Sequence, residues 1–143
     1  MSIVGFNFTK ISVERKSGNI SGKVNIANNI SIKNAEKKDL SLGKAKQDGI
    51  KFSFEFTSKY TPDVGSILLN GEVLYMEDKA KVEEILNNWK KDKKLPPDVI
   101  TPMLNMALTK SNIQALILSQ EINLPPPIPL PKVEQKEGKD YIG

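Results

Sequence analysis

Apolar and polar residues alternate through most of the first half of this chain, and from residue 78 the spacing changes to three and four. Residues 3–14, IVGFNFTKISVE, put Val4, Phe6 and Phe8 on one face by period-two alternation. The phase then slips, because Ile11 and Val13 are odd-numbered, so a bulge or bend near Thr9–Lys10 is expected to keep one buried face. Residues 23–33, KVNIANNISIK, place Val24, Ile26, Ile30 and Ile32 on one side; Asn28 interrupts them and, if buried, needs a hydrogen-bond partner. Residues 34–49, NAEKKDLSLGKAKQDG, are charged and glycine-dotted and read as a loop with at most brief structure around Leu40 and Leu42.

The clearest strand follows. In IKFSFEFTSKY, Ile50, Phe52, Phe54, Phe56 and Tyr60 share one face, and Lys51, Ser53, Glu55, Thr57 and Lys59 the other. Thr61-Pro62-Asp63 makes a turn. In GSILLNGEVLYM, residues 65–76, Ile67, Leu69, Val73 and Tyr75 lie on one side, while Leu68 and Leu74 predict cover on the other side as well.

Asp78 can cap a helix whose apolar stripe is Val82, Ile85, Leu86 and Trp89 and whose end is lysine-rich. Leu95-Pro96-Pro97 breaks it. A second helix, capped by Asp98 or Thr101, runs to about Gln120; with Thr101 as cap, Pro102 falls in its first turn. Its second half, IQALIL, is apolar nearly all round. That surplus predicts either burial on several sides or a partner, with Ile113, Leu116 and Ile117 as the expected oligomer interface. After it comes EINLPPPIPLPKV, a stiff apolar strip that can neither continue a helix nor sit within a sheet. The last ten residues read as a solvated tail. The expected fold is therefore α+β: a four-stranded antiparallel sheet, two C-terminal helices packed on it, then an extended proline-rich strip. Residues 1–133 form a single domain and residues 134–143 a flexible polar tail.

Composition narrows the function. The chain of 143 residues contains no cysteine and no histidine. Disulfides, thiol nucleophiles, zinc–thiolate sites and imidazole acid–base chemistry are thereby absent. A non-enzyme with no cofactor is expected. Glu83-Glu84 and Asp63 supply carboxylates that nothing in the sequence forces to face one another, and Gly43-Lys44 lacks the rest of a phosphate loop. The net charge is +4, and Arg15 is the only arginine. A lysine-rich, arginine-poor surface suits solvation better than base recognition, although Lys90, Lys91, Lys93 and Lys94 could touch phosphate. No run approaches a membrane span, and the N-terminus lacks the flanks of a secretory signal, so a cytoplasmic location is expected.

The element order resembles the SecB-type export chaperones over residues 3–131. The resemblance is carried by VGFNFTKISVE, the pair KFSFEFTSKY and GSILLNGEVLY, VEEILNNW, and a helix TPMLNMALTKSNIQALILSQ that exits into INLPPPIPLP. It implies an ATP-independent holdase, a homotetramer built as a dimer of dimers, that keeps unfolded preproteins fit for export in apolar surface grooves or, in some relatives, protects an antitoxin. The chain departs from the family in being basic, so the family's acidic docking to an export motor does not carry over. On this reading the client-binding residues are Phe6, Phe8, Phe52, Phe54, Phe56, Met103, Met106, Leu124, Ile128 and Leu130. The same phenylalanines and methionines suit a core. The strip either lines a groove or completes the core, and Pro126–Pro129 with Lys132 also fits a P-x-x-P ligand. Alternative functions are a nucleic-acid-binding module using the lysine-rich surface and a carrier of an apolar small ligand.

Overall fold

A computed structural model describes residues 2–16, 22–39 and 47–131. Four long strands, β1 (Ser2–Arg15), β2 (Asn25–Lys38), β3 (Gln47–Thr61) and β4 (Gly65–Asp78), form one antiparallel sheet in the order β1-β4-β3-β2. Two helices follow, α1 (Lys79–Asp92) and α2 (Pro97–Glu121). The expected α+β layout is the one observed.

The phase slip in the first strand is a bulge. Phe8 pairs with Gly71 and Lys10 with Asn70, so Thr9 is the extra residue and Val13 returns to the buried side opposite Ile67. A second bulge corrects the sequence reading. Ile3 pairs with Tyr75 and Gly5 with Leu74, which throws Val4 off the face of Phe6 and Phe8 and leaves it exposed. A third, at Lys33 in β2, moves the buried positions from even to odd and brings Ala35 opposite Phe52. Residues 34–38 and 47–49 belong to strands rather than to the expected loop; in β2 a simple alternation template loses the pattern at the bulge. The expected scrap of structure at Leu40 and Leu42 lies outside the described residues, as do Lys132 and the 134–143 tail.

The hairpin between β3 and β4 turns through a cis Thr61–Pro62 bond and Asp63 at φ 46°. Gly65 at its exit admits no side chain, because a Cβ there would run into the Glu14 carbonyl of β1.

Both helices pack on one face of the sheet. The core has two contiguous parts: Ile50, Phe52, Phe54, Val73 and Tyr75 under Val82, Ile85, Trp89, Val99 and Met103, and Phe56, Tyr60, Ile67 and Leu69 under Ala115 and Leu124. On the opposite face no described element covers Leu68 and Leu74, contrary to the cover expected there. They are half-buried among their strand neighbours. Their surroundings are the ion pairs of Lys51 with Glu36 at 2.6 Å and of Lys33 with Glu55 at 3.9 Å, so the face is wet.

Asp78 stands at the start of α1, yet its side chain makes no capping bond; the Glu77 carboxylate accepts from its backbone amide instead. α2 begins earlier than expected, with Pro97 at its first position and Pro102 inside it. The missing amide of Pro97 costs nothing there, because first-turn amides have no partner within a helix. Asp98 serves the first turn as an acidic residue and pairs with Lys81 of α1 at 2.7 Å.

Candidate functional site

α2 rests on the sheet by a narrow seam. Its buried residues are Val99, Met103, Ala107, Ser111, Ala115 and Ser119, one every four positions. From Ala107 onward the seam is made of small side chains, which bring the helix close to β3 and β4. The apolar residues flanking it are left outside. Ile113 is 56% exposed, Ile117 48% and Leu108 36%, and Leu104, Met106, Leu116 and Leu118 are half-buried. Each of these side chains leaves part of the about 1.5–3 kcal/mol of a full burial unrealised.

Because the sheet is wider than the seam, a groove opens on either side of the helix. On the β2 side, Asn28, Asn29 and Ile30 face Leu108 and Asn112 of α2 across a space of about 420 Å³ that Ile128 closes. On the β1 side, Phe6, Asn7 and Phe8 face Lys110, Ile113 and Gln114 across about 290 Å³. Phe6 and Phe8 meet edge to face with centroids 5.1 Å apart, and Phe6 stacks on the buried Phe54 at 5.5 Å. The Lys110 ammonium stands 5.5 Å from the Phe6 centroid.

The proline-rich strip forms the end wall of this arrangement. It crosses the sheet from β1 to β2 and is tied down by a donor from three strands. Arg15 of β1 donates to the carbonyls of Ile122 and Asn123 at 3.2 and 2.8 Å. Tyr60 of β3 donates to Pro125 at 2.6 Å, and Asn28 of β2 to Pro127 at 2.7 Å. Asn28 in turn accepts from Ser58 at 2.6 Å, so the asparagine that interrupts an apolar face has its partners. Leu124 is buried against Phe56 and Tyr60, and Pro127 is buried as well. Burial pushes the Tyr60 phenol up to about 12, keeping it a donor at any ordinary pH. The strip thus completes the core at Leu124 and lines a groove at Ile128, while Leu130 stays exposed. Of the P-x-x-P pattern, Pro126 and Pro129 are exposed, whereas Pro127 between them is buried with its carbonyl engaged by Asn28.

The residues expected to bind a client therefore separate. Phe6, Phe8 and Ile128 line the grooves, and Met106 and Leu130 keep accessible surface. Phe52, Phe54, Phe56, Met103 and Leu124 are core side chains, because the even-numbered face of β3 lies directly beneath the helices and the strip. Sequence reasoning missed Leu108, Lys110, Asn112 and Gln114. Their signal was the four-residue spacing of small residues in α2, which fixes the seam and hence the groove walls beside it.

Elsewhere the chemistry is sparse. Among the described residues, no three carboxylates gather as a metal cage. Glu83, Glu84 and Asp63 are exposed, as are Lys90, Lys91, Lys93 and Lys94; Lys93 lies over the Trp89 ring at 5.1 Å. No helix among the described residues is long and apolar enough to cross a membrane.

A four-stranded antiparallel sheet carrying two C-terminal helices on one face, with open furrows beside the second, is a SecB-like fold. The structure matches the SecB-like chaperone of Mycobacterium tuberculosis, solved with a peptide from the HigA1 antitoxin, at a TM-score of 0.53, covering 94% of this chain and 91% of that one. At 10% identity the likeness is one of fold. The chain matches no protein-family model and no curated protein.

Proposed function

We propose that this protein is an ATP-independent holdase that keeps unfolded polypeptides, preproteins awaiting export among them, in the two furrows beside α2. The observation that carries this reading is the exposure of Leu108 and Ile113 along grooves that are open to solvent rather than enclosed, with Ile117 exposed a turn beyond Ile113. Non-directional apolar surface binds chains of unrelated sequence, because hydrophobic burial at roughly 25 cal/mol per Å² asks for area and not for a particular partner. Phe6, Phe8, Met106, Ile128 and Leu130 would touch the client, over a support of Phe54 and Leu124.

Three consecutive residues of an edge strand, Asn28, Asn29 and Ile30, line the larger groove. A client lying there can add main-chain hydrogen bonds to β2, again without regard to its sequence. Open furrows favour this reading over a carrier of a small apolar ligand, which calls for an enclosed cavity.

The chain would work in the cytoplasm, without catalysis or cofactor. It would assemble as a homotetramer, a dimer of dimers, with Ile113, Leu116 and Ile117 shared between copies where they do not serve clients. Two measurements test the proposal: native mass in solution, and suppression of aggregation of an unrelated unfolded protein at equimolar ratio without ATP. A monomer that leaves aggregation unchanged would end it.

A further inference from the structure

We propose that the groove between β1 and α2 selects client segments in which an aromatic residue is flanked by carboxylates, and that Lys110 sets this preference. The inference rests on the chaperone reading above and specifies which polypeptide chemistry one of its two grooves takes.

α2 carries three charged side chains along its 25 residues. Asp98 is in the first turn and is paired with Lys81; Glu121 is the last residue. Between them stands Lys110 alone, halfway along the helix, and it has no ion pair among the described residues. Among the described residues its partner is the face of Phe6. The remaining walls are Phe8, Ile113 and two neutral amides, Asn7 and Gln114, with no carboxylate among them. The floor is aromatic and braced from below: Phe8 also meets Phe54, at 6.3 Å. Such a floor accepts a further aromatic ring in an offset or edge-to-face arrangement.

A carboxylate one or two residues from that ring would come within reach of Lys110. Beside an apolar wall its attraction is stronger than on open surface. A lysine or arginine in the same place would be repelled and would compete with Lys110 for the Phe6 face. The groove on the other side of α2 is an internal contrast. Its lining of asparagines and aliphatic residues is uncharged, so it has no means of reading a client's charge. The net charge of +4 works in the same direction as Lys110 at longer range. It would also attract nucleic acid, but tracking a phosphate backbone takes a series of cations, and this groove holds one.

The test uses the full chain and fluorescence anisotropy with three extended peptides carrying a neutral dye. They share a phenylalanine-centred core flanked by Glu, Gln or Lys. At low salt the Glu-flanked peptide should bind about tenfold more tightly than the Lys-flanked one, with Gln between, as expected for one attractive contact exchanged for a repulsive one. Lys110→Gln should shrink that gap to about twofold, and Lys110→Glu should invert the order. Equal binding of the Glu- and Lys-flanked peptides, or a preference that survives in Lys110→Gln, overturns the proposal and leaves the chaperone reading standing so long as aggregation is still suppressed. If none of the peptides binds, the proposal falls; if aggregation suppression is missing too, the chaperone reading falls with it. A single-stranded oligonucleotide that displaces the Glu-flanked peptide at a lower concentration than unlabelled peptide does would reassign the groove to nucleic acid, and also overturns it.

Discussion

Tyr60 donates its phenolic hydrogen to the carbonyl of Pro125 at 2.6 Å, tying the end of the interior strand β3 to the proline-rich strip. The strip cannot pair as a strand, because its prolines have no amide to give. It still has carbonyls, and where the chain lies on the core those carbonyls need donors. Arg15, Tyr60 and Asn28 supply them from three different strands. The groove wall at Ile128 is held in place by this arrangement.

Removing the Tyr60 hydroxyl leaves the Pro125 carbonyl without its donor. Tyr60→Phe should lower stability by about 1–3 kcal/mol, the usual cost of stranding a part-buried polar group, measured by chemical denaturation. The loss should depend on pH in a defined way. Burial raises the phenol in the folded state to about 12, above its ordinary value near 10. The neutral phenol's contribution is thus fully present below about pH 10 and is lost as pH rises through about 12. Lysines titrate in the same window, so the informative quantity is the difference between wild type and Tyr60→Phe. That difference should narrow between pH 10 and 12. A difference that stays constant would mean that the hydroxyl is not the tie.

Asn28 links two buried groups at once, the Pro127 carbonyl and the Ser58 hydroxyl. Asn28→Ala should cost about 1–3 kcal/mol for the stranded groups. In the double variant Asn28→Ala/Ser58→Ala the further loss should be smaller than that of Ser58→Ala alone, since the two side chains share a bond. Thermal unfolding of the four proteins in the cycle reads this directly; strict additivity would contradict the network.

Much of this was legible in the sequence. The alternation in β3 fixed its buried face, and the parity change from Phe8 to Ile11 located the bulge at Thr9. The bulge at Val4 was not legible because Ile3 and Val4 are both apolar and either can begin the alternation; the one at Lys33 was not, because a slip shows only when strong apolar residues lie on both sides of it. After Lys33 the only buried apolar residue of β2 is Ala35. The core role of Phe52, Phe54 and Phe56 was one of two readings open at that stage. A phenylalanine at a groove rim and one beneath it have the same periodicity, and only the path of α2 across the sheet separates Phe6 and Phe8 from the rest. That path is set by small side chains, which carry little hydrophobic signal. The tie of Arg15 to the strip, across more than a hundred residues, left no local trace.

Gly71 is the point where the aromatic floor meets the backbone. A Cβ there would lie 2.5 Å from Cζ of Phe54 and 2.9 Å from the Asn7 carbonyl. The Phe54 ring is hemmed in by Phe6 and Phe8, with centroids 5.5 and 6.3 Å away. Gly71→Ala should therefore destabilise by about 1–3 kcal/mol, as overpacking does. It should also weaken binding of an aromatic peptide to the β1-side groove more than binding of an aliphatic one. Unchanged melting temperature and unchanged peptide preference would show that the floor is softer than its packing implies.

Ile113 and Ile117 are exposed, so replacing them should scarcely touch the stability of the single chain. Ile113→Asp and Ile117→Asp should each stay within about 0.5 kcal/mol of wild type by denaturation at high dilution. The native mass, or the capacity to suppress aggregation, should fall nonetheless, because a carboxylate on an apolar contact must be desolvated without a partner. Light scattering and an aggregation assay on the same preparations separate the two roles. If both properties are intact in the double variant, these side chains serve neither assembly nor client.

Two serines in the seam of α2 make a controlled comparison. Both are fully buried between helix and sheet. Ser119 donates to the Leu116 carbonyl at 2.8 Å, whereas the Ser111 hydroxyl has no hydrogen-bond partner among the described residues. Replacing an unsatisfied buried hydroxyl by hydrogen removes a desolvation cost, and alanine is the better helix former. Ser111→Ala should accordingly stabilise the protein by about 0.5–1.5 kcal/mol, while Ser119→Ala should be close to neutral or mildly destabilising. Ser111 lies between Asn112, which lines one groove, and Lys110, which lines the other. A tighter seam would draw α2 toward the sheet and narrow both furrows. The stabilised Ser111→Ala variant should hence bind clients no better than wild type, and a clear gain in aggregation suppression would break the link between seam packing and groove width.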